Sequence, residues 1–111
     1  MSSNSGASLG PIFAALGDAT RLGLLARLSD GRARSITTLL GDSPLTRQAV
    51  TKHLRVLESA GLVRSLRRGR ERRFAFSPER ISEARAYLDD VGRQWEDALA
   101  RLQAFVETDK T

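Results

Sequence analysis

Hydrophobic and polar residues alternate along this chain with two different periods. Apolar residues recur three or four positions apart, as in amphipathic helices, over residues 11–16, 18–29, 35–40 and 46–60, and again in a long segment from Pro78 onward. Residues 62–66 and 72–76 instead have the composition of short strands, with Gly69 at the tip of the turn between them. The pattern predicts a mainly α fold with a small β-hairpin.

The third and fourth helical segments have the spacing of a helix-turn-helix. The run from Gly41 to Pro44 separates them and cannot continue a helix. Thr46 can then cap the free N–H groups of the fourth helix, while Leu45 can pack on its first turn, and Gly61 marks its end. One face of this helix is predicted to be buried through Val50, Leu54 and Leu57.

The opposite face of the fourth helix carries side chains that suit a DNA major groove. Gln can pair with adenine and Arg with guanine, a Thr methyl can contact a thymine methyl, and Lys can bind phosphate. A solvated helix face is also polar, so this pattern alone leaves both interpretations open. The candidate DNA contacts on this helix are Thr46, Arg47, Gln48, Thr51, Lys52, His53 and Arg55.

His53 has two interpretations of its own. It can contact a phosphate or a base, because it lies within the fourth helix, which is the candidate recognition helix. Its position on the wheel is nearer to Ala49 and Leu57 than to the polar face, which favours a partly buried, hydrogen-bonded role. In that role it would affect DNA binding through the placement of the helix.

The distribution of charge favours the DNA interpretation. The whole chain has a formal net charge of +5, whereas residues 45–76 hold nine Lys or Arg against two Glu. A basic two-stranded ribbon beside a recognition helix can reach the DNA backbone or minor groove and release counterions. A merely soluble hairpin is the alternative. The candidate contacts in the hairpin are Arg67, Arg68, Arg70 and Arg72.

From Ile12 to Phe76 the chain resembles the ArsR/SmtB family of bacterial winged-helix transcriptional regulators. The matching runs are residues 16–22 (LGDATRL), 45–54 (LTRQAVTKHL) and 57–63 (LESAGLV), followed by the Arg-Gly-Arg of the hairpin. The resemblance implies a winged helix-turn-helix homodimer that binds operator DNA and usually represses transcription. It also implies that DNA is released when an effector binds or a residue is modified.

One departure from the family concerns metal sensing. Many relatives bind metals through Cys, or through His and carboxylate pairs on the last helix, but this chain has no Cys and its one His is His53. A thiolate site and thiol redox sensing are therefore excluded, and a zinc site lacks its usual donors. We predict no metal and no cofactor. Residues 93–102 are similar to a Cys-free branch of the family, and we predict that the chain belongs to that branch. Carboxylates that could bind a hard cation, but are more often solvated, are Asp89, Asp90, Glu96 and Asp97.

The last helical segment carries an unbroken apolar seam. Ser77 can cap it and Pro78 suits its first position. Apolar residues then alternate three and four apart from Ile81 to Phe105, as in a coiled coil. A second copy of the helix is the natural cover for so long a stripe, and packing on its own domain is the alternative. The candidate dimer interface comprises Ile12, Phe13, Leu16, Leu88, Val91, Trp95, Leu99 and Leu102.

The chain is long enough for one small domain. We expect a flexible N-terminal tail over residues 1–10 and one winged helix-turn-helix domain over residues 11–111. This domain contains a DNA-reading segment (residues 35–76) and a dimerisation helix (residues 78–107). Asp18 is expected to cap the second helix, whose buried stripe is predicted to be Leu22, Leu25 and Leu28.

Location and activity are predicted from what the sequence lacks. Residues 1–10 have neither a basic start nor an apolar run, and no apolar stretch approaches the ~20 residues of a membrane span, so we expect a cytoplasmic protein. Without a nucleophile–base pair or a phosphate loop, the chain is not expected to be an enzyme. The sequence therefore predicts a dimeric repressor that binds an inverted-repeat operator. A winged helix that contacts protein or RNA is the alternative.

Overall fold

The computed structural model describes residues 5–109 and confirms the mainly α prediction. In this part of the chain the helices are α1 (Ser5–Leu16), α2 (Ala19–Leu28), α3 (Ile36–Leu40), α4 (Arg47–Ser59) and α5 (Pro78–Asp109). The strands are β1 (Arg34–Ser35), β2 (Val63–Arg68) and β3 (Glu71–Phe76).

The first helix begins earlier than the sequence predicts. Pro11 is favoured at the first position of a helix, which is why the predicted boundary fell there. In the structure Pro11 lies inside α1, which begins at Ser5, and Leu9 is buried in the core. The predicted tail over residues 1–10 is therefore wrong for residues 5–10, and residues 1–4 lie outside the described part of the chain.

The next three helices each begin at a side-chain cap. The Asp18 carboxylate accepts from the backbone N–H of Arg21 at 3.0 Å, and Thr46 Oγ1 accepts from that of Ala49 at 3.0 Å, as predicted. Ser35 caps α3 in the same way. After α4, Gly61 adopts a positive φ of 79°, which lets the chain turn directly into β2.

The core lies where α1, α2 and α4 meet the sheet. The predicted face of α4 is confirmed, since Val50, Leu54 and Leu57 are buried. The predicted stripe of α2 is wrong at one position, because Leu22 is exposed and Leu24 is buried in its place. A helix this rich in leucine allows two neighbouring stripes, and the tertiary packing selects between them.

The sheet has one strand more than the predicted hairpin. Its order is β1-β3-β2, and β2 pairs antiparallel with β3 from Val63↔Phe76 to Arg68↔Glu71. The additional strand β1 pairs with β3 through Arg34↔Phe74 and Ser35↔Arg73. Because β1 runs directly into α3, this pairing fixes the middle of β3 against the helix-turn-helix, and the result is a winged helix-turn-helix fold.

The last helix is long, and it is covered by the rest of the chain only near its start. Ala84 is buried and Ile81 packs against the core, while the rings of Phe13 and Tyr87 lie 6.0 Å apart between centroids. From Arg93 to Thr108 every residue except Ala98 is exposed. Within residues 5–109 no single helix is both long and apolar enough to span a membrane. The bent pair Leu9–Leu16 and Ala19–Leu28 meets that test only when taken together.

Candidate nucleic-acid interface

The polar face of α4 forms one continuous surface. Burial of Val50, Leu54 and Leu57 fixes the rotation of the helix about its axis, so the opposite face points away from the core. The depression on this face has a volume of about 480 Å³. It is lined by five of the predicted DNA contacts: Arg47, Gln48, Thr51, Lys52 and Arg55.

Thr51 and Arg47 also make contacts within the chain. Thr51 donates its hydroxyl proton to the Arg47 carbonyl at 2.8 Å, so its oxygen can only accept from a further partner. Arg47 Nη1 donates to Thr37 Oγ1 at 3.0 Å, which links the start of α4 to α3. Four of the five N–H groups of this guanidinium are left for other acceptors.

The tip of the wing, as we call the β2–β3 hairpin, and the start of α4 share a second cleft, of about 360 Å³. Three of the predicted DNA contacts, Arg47, Arg70 and Arg72, line it together with Thr37 and Glu71. The sequence predicted these arginines separately, on a helix and on a hairpin. The structure brings them to one surface, where a single phosphate backbone could be contacted by both elements.

The wing arginines differ in whether they have an acidic partner. Arg73 Nε donates to Glu71 Oε1 at 2.8 Å, so part of the charge of this residue is neutralised. Within residues 5–109, the four predicted wing contacts are exposed and form no ion pair in this structure: Arg67, Arg68, Arg70 and Arg72. Their positive charge is therefore available to an external anion.

His53 contacts a residue that the sequence analysis did not single out. Its Nδ1 lies 3.3 Å from Arg21 Nη1 and 3.9 Å from Asp18 Oδ2, and its side chain is 23% exposed. The prediction of a partly buried, hydrogen-bonded His53 is confirmed. Because an Arg only donates, this bond requires an unprotonated Nδ1 and leaves the proton of neutral His53 on Nε2.

Arg21 also holds the end of α1. Its Nε donates to the Ala15 carbonyl at 2.8 Å, and its Nη2 donates to the Ala14 carbonyl at 3.3 Å. The Ala14 carbonyl also accepts from the backbone N–H of Gly17 at 3.2 Å. A cation at the carbonyls of a helix C-terminus is favourable. Arg21 therefore joins α1, α2 and the recognition helix. The signal in the sequence is the position of Arg21 in the run 16–22, but its partner His53 lies 32 positions further along the chain.

Two carboxylates near the helix-turn-helix have lowered pKa values. The backbone N–H of Arg21 lowers the pKa of Asp18 below its ordinary value of 3.8, and the charge of Arg21 acts in the same direction. The guanidinium of Arg34 binds both oxygens of Asp30, at 2.8 and 2.7 Å, and holds the pKa of that carboxyl far below its usual range. Arg34 is thus engaged within the chain.

Comparison with known proteins agrees with this geometry. Residues 16–65 match a family model described as a helix-turn-helix domain. The chain is 45% identical over 74 residues to the uncharacterized HTH-type transcriptional regulator YuzN of Bacillus subtilis (strain 168), covering 61% of this chain and 80% of that protein. The solved structure of an ArsR-like transcriptional regulator from Rhodococcus sp. RHA1 is 34% identical and superposes with a TM-score of 0.80, over 92% of this chain and 95% of that one. The chain belongs to the ArsR family of helix-turn-helix transcriptional regulators.

A more distant solved structure shares the fold of this ArsR-family protein. It is the homodimeric winged helix-turn-helix DNA-binding domain of a possible ArsR-family regulator from Mycobacterium bovis. The two chains are 22% identical with a TM-score of 0.62, over 78% of this chain and 80% of that one. At this identity the likeness concerns the fold alone.

The candidate dimer residues of this ArsR-family chain fall into two groups. Ile12 is fully buried in the core of its own chain, so its assignment to the dimer interface is wrong; Phe13 and Leu16 are partly buried against the same core. A short apolar helix does not reveal from sequence which neighbour covers it. On α5, Val91 is half-buried, and the candidates more than half exposed are Leu88, Trp95, Leu99 and Leu102.

Carboxylates on α5 of the ArsR-family chain do not gather into a metal-binding group. Across residues 5–109, no three His, Asp or Glu side chains lie close enough together to hold a metal ion. Asp90 instead pairs with Arg93 at 3.2 Å. The Cys-free branch stays a prediction.

Proposed function

We propose that this ArsR-family regulator is a dimeric repressor that binds an inverted-repeat operator. The observation that carries the proposal is the shared surface of α4 and the wing. Arg47, Arg70 and Arg72 line one cleft, and the depression that holds Gln48 and Arg55 adjoins it at Arg47. A duplex seated on this surface would meet base-reading and phosphate-binding side chains together.

The polar face of α4 and the wing would make different kinds of contact with DNA. Gln48 and Arg55 can form paired hydrogen bonds with the major-groove edges of adenine and guanine. The wing arginines present exposed charges beside the helix, where they would neutralise phosphates whatever the sequence. The helix would therefore set sequence preference, and the wing would supply much of the affinity and its salt dependence.

The exposed part of α5 supports a dimer. Large apolar side chains such as Trp95, Leu99 and Leu102 face solvent in the single chain, and such a stripe is usually covered by a partner. The Mycobacterium bovis domain that shares this fold is homodimeric. A two-fold axis through α5 would set two copies of α4 ~34 Å apart, or a multiple of that distance, and would favour an inverted repeat.

Repression follows from occupancy in the simplest case. A dimer that covers two half-sites within a promoter excludes other proteins from the same stretch of DNA. Transcription would resume when an effector or a modification releases the dimer from the operator.

The decisive experiment is footprinting of the full-length protein on the DNA upstream of its own gene, with in vitro transcription on the same fragment. We expect protection of an inverted repeat, less transcript on addition of protein, and a steep fall in affinity as salt rises. A winged helix that contacts only protein would show little DNA affinity and no steep salt slope. Tighter binding to structured RNA than to the promoter fragment would favour the RNA-binding alternative.

A further inference from the structure

A separate groove lies between α1 and the recognition helix α4. Its volume is about 450 Å³, within the ~300–1,000 Å³ of pockets that hold small molecules. Small apolar side chains from both helices form most of its wall, and Ser59 adds one hydroxyl. The apolar lining residues are Pro11, Ala14, Ala15, Val56 and Ala60.

Three cationic side chains complete the groove, and no acidic side chain lines it. Arg21 is held there by its bonds to the carbonyls of Ala14 and Ala15, so its charge is already positioned. Lys52 and Arg55 are exposed, and within the described part of the chain neither forms an ion pair. The Asp18 carboxylate, on which the charge of Arg21 acts, lies outside this lining. Like charges grouped in a lining that has no carboxylate favour the binding of an anion.

We propose that this groove binds a small amphiphilic anion, a carboxylate with a short hydrocarbon tail, and that the bound anion opposes DNA binding. The carboxylate accepts hydrogen bonds from the cationic side chains, in the paired geometry that a guanidinium offers. The tail lies against the apolar wall that Ala14 and Val56 provide. An inorganic anion would leave that wall in contact with water, and an uncharged lipid would leave the cations unpaired.

The groove is coupled to the DNA surface through two shared residues. Lys52 and Arg55 line both the groove and the depression on the polar face of α4. An anion that binds them neutralises charges that DNA would otherwise use, so the two ligands compete. This coupling rests on the proposed DNA-binding function, whereas binding of the anion to the groove does not.

Direct binding is tested on the full-length protein without DNA. Octanoate serves as the probe, with octanol as the uncharged tail and acetate as the charge without a tail, each followed by calorimetry and by NMR shifts of Ala14 and Val56. We expect saturable binding of octanoate, at concentrations where neither acetate nor octanol binds. The proposal is overturned if octanoate does not saturate, or if octanol or acetate binds as tightly.

Two variants locate the site. Ala14→Trp fills the groove from α1 and leaves all three cations in place, and Ala26→Trp makes the same change at an exposed position of α2 that does not line the groove. We expect at least a tenfold loss of octanoate affinity in the first and less than a twofold change in the second. If Ala14→Trp fails to fold, Ser59→Trp fills the groove from α4 instead. Unchanged octanoate affinity in a folded, filled variant places the site elsewhere and overturns the proposal.

Competition is then measured on operator DNA at constant ionic strength. Saturating octanoate should weaken DNA binding by about tenfold, equimolar acetate should not, and Ala14→Trp should bind DNA but no longer respond to octanoate. If the wild-type protein binds its operator equally well with octanoate bound, the coupling is wrong. If no operator is bound at all, the DNA-binding proposal has failed, and the direct-binding result stands by itself.

Discussion

Arg21 on α2 and His53 on the recognition helix lie 3.3 Å apart, from Nη1 to Nδ1. The same guanidinium binds two carbonyls at the end of α1. One side chain of α2 therefore bonds to both of its neighbouring helices, α1 and α4.

Arg21→Ala should lower the free energy of unfolding by about 1–3 kcal/mol, because it removes the donor that bonds to the Ala15 carbonyl and to His53 Nδ1. Arg21→Lys should recover only part of the lost stability, since a single ammonium group cannot reach all the acceptors that the planar guanidinium of Arg21 reaches. Urea denaturation measures both effects. Arg32→Ala, at an exposed loop position, is the control, and equal stability of Arg21→Ala and Arg32→Ala would contradict the proposed role of Arg21.

Asp18 should contribute to stability in a pH-dependent way. Its pKa is lower in the folded chain than the ordinary 3.8, so its contribution is present above that value and is lost as pH falls through the folded pKa. Between about pH 5 and about pH 3, Asp18→Asn should lose less stability than the wild type. The remaining acid sensitivity should include that of Asp30, whose pKa Arg34 lowers.

Thermal unfolding across this pH range checks the prediction for Asp18. Asp42→Asn, at an exposed position before α4, makes the matched change away from any cap. Parallel stability curves for Asp18→Asn and the wild type would show that the carboxylate charge of the cap does not contribute.

Gln48→Ala or Arg55→Ala should cost about 1–3 kcal/mol of binding at the cognate operator and relax preference at particular base pairs. Gln103→Ala removes the same amide from an exposed position on α5 and should leave DNA binding unchanged. Affinities on operators with single-base changes are the measurement. Equal losses on cognate and random DNA would rule out base reading by these side chains.

Removing charges from the wing should change the salt dependence of DNA affinity rather than the preference for particular DNA sequences. Arg68→Ala and Arg70→Ala should each lower the slope of log affinity against log salt by roughly one, with sequence preference retained. Arg85→Ala, on an exposed turn of α5, is the control for loss of a charge. A slope that stays constant in the double variant would argue against contact between the wing and phosphates.

A carboxylate in the seam should separate the two chains. Leu102 is 59% exposed in the single chain, so Leu102→Asp should remain folded as a monomer but place an unpaired charge in the dimer interface. Leu88→Asp should act similarly. Ala100→Asp, on the opposite side of the helix, is the control. Sedimentation measures the assembly, and wild-type protein that is monomeric at tens of micromolar would overturn the dimer.

Local signals in the sequence were sufficient to predict much of this structure. The cap at Thr46 and the buried face of α4 were correct, because both depend on residues within one helix. Strand β1 was missed, since two residues have no periodicity and pair only because β3 passes beside them. The contact between Arg21 and His53 spans 32 positions, and the shared cleft of Arg47 and Arg70 joins separate elements. Neither has a signature in the spacing of residues.

Under the proposed assembly, the exposed part of α5 would link gene dosage to regulation. Residues 93–108 extend ~24 Å beyond the cover of their own chain, and an isolated helix of that length is marginal in water. Under the proposed assembly, completing this helix and pairing two chains are one event. While the protein is scarce, the amount of active dimer then rises with the square of its concentration, so doubling synthesis raises it about fourfold. Operator occupancy would respond to protein level as a threshold rather than in proportion.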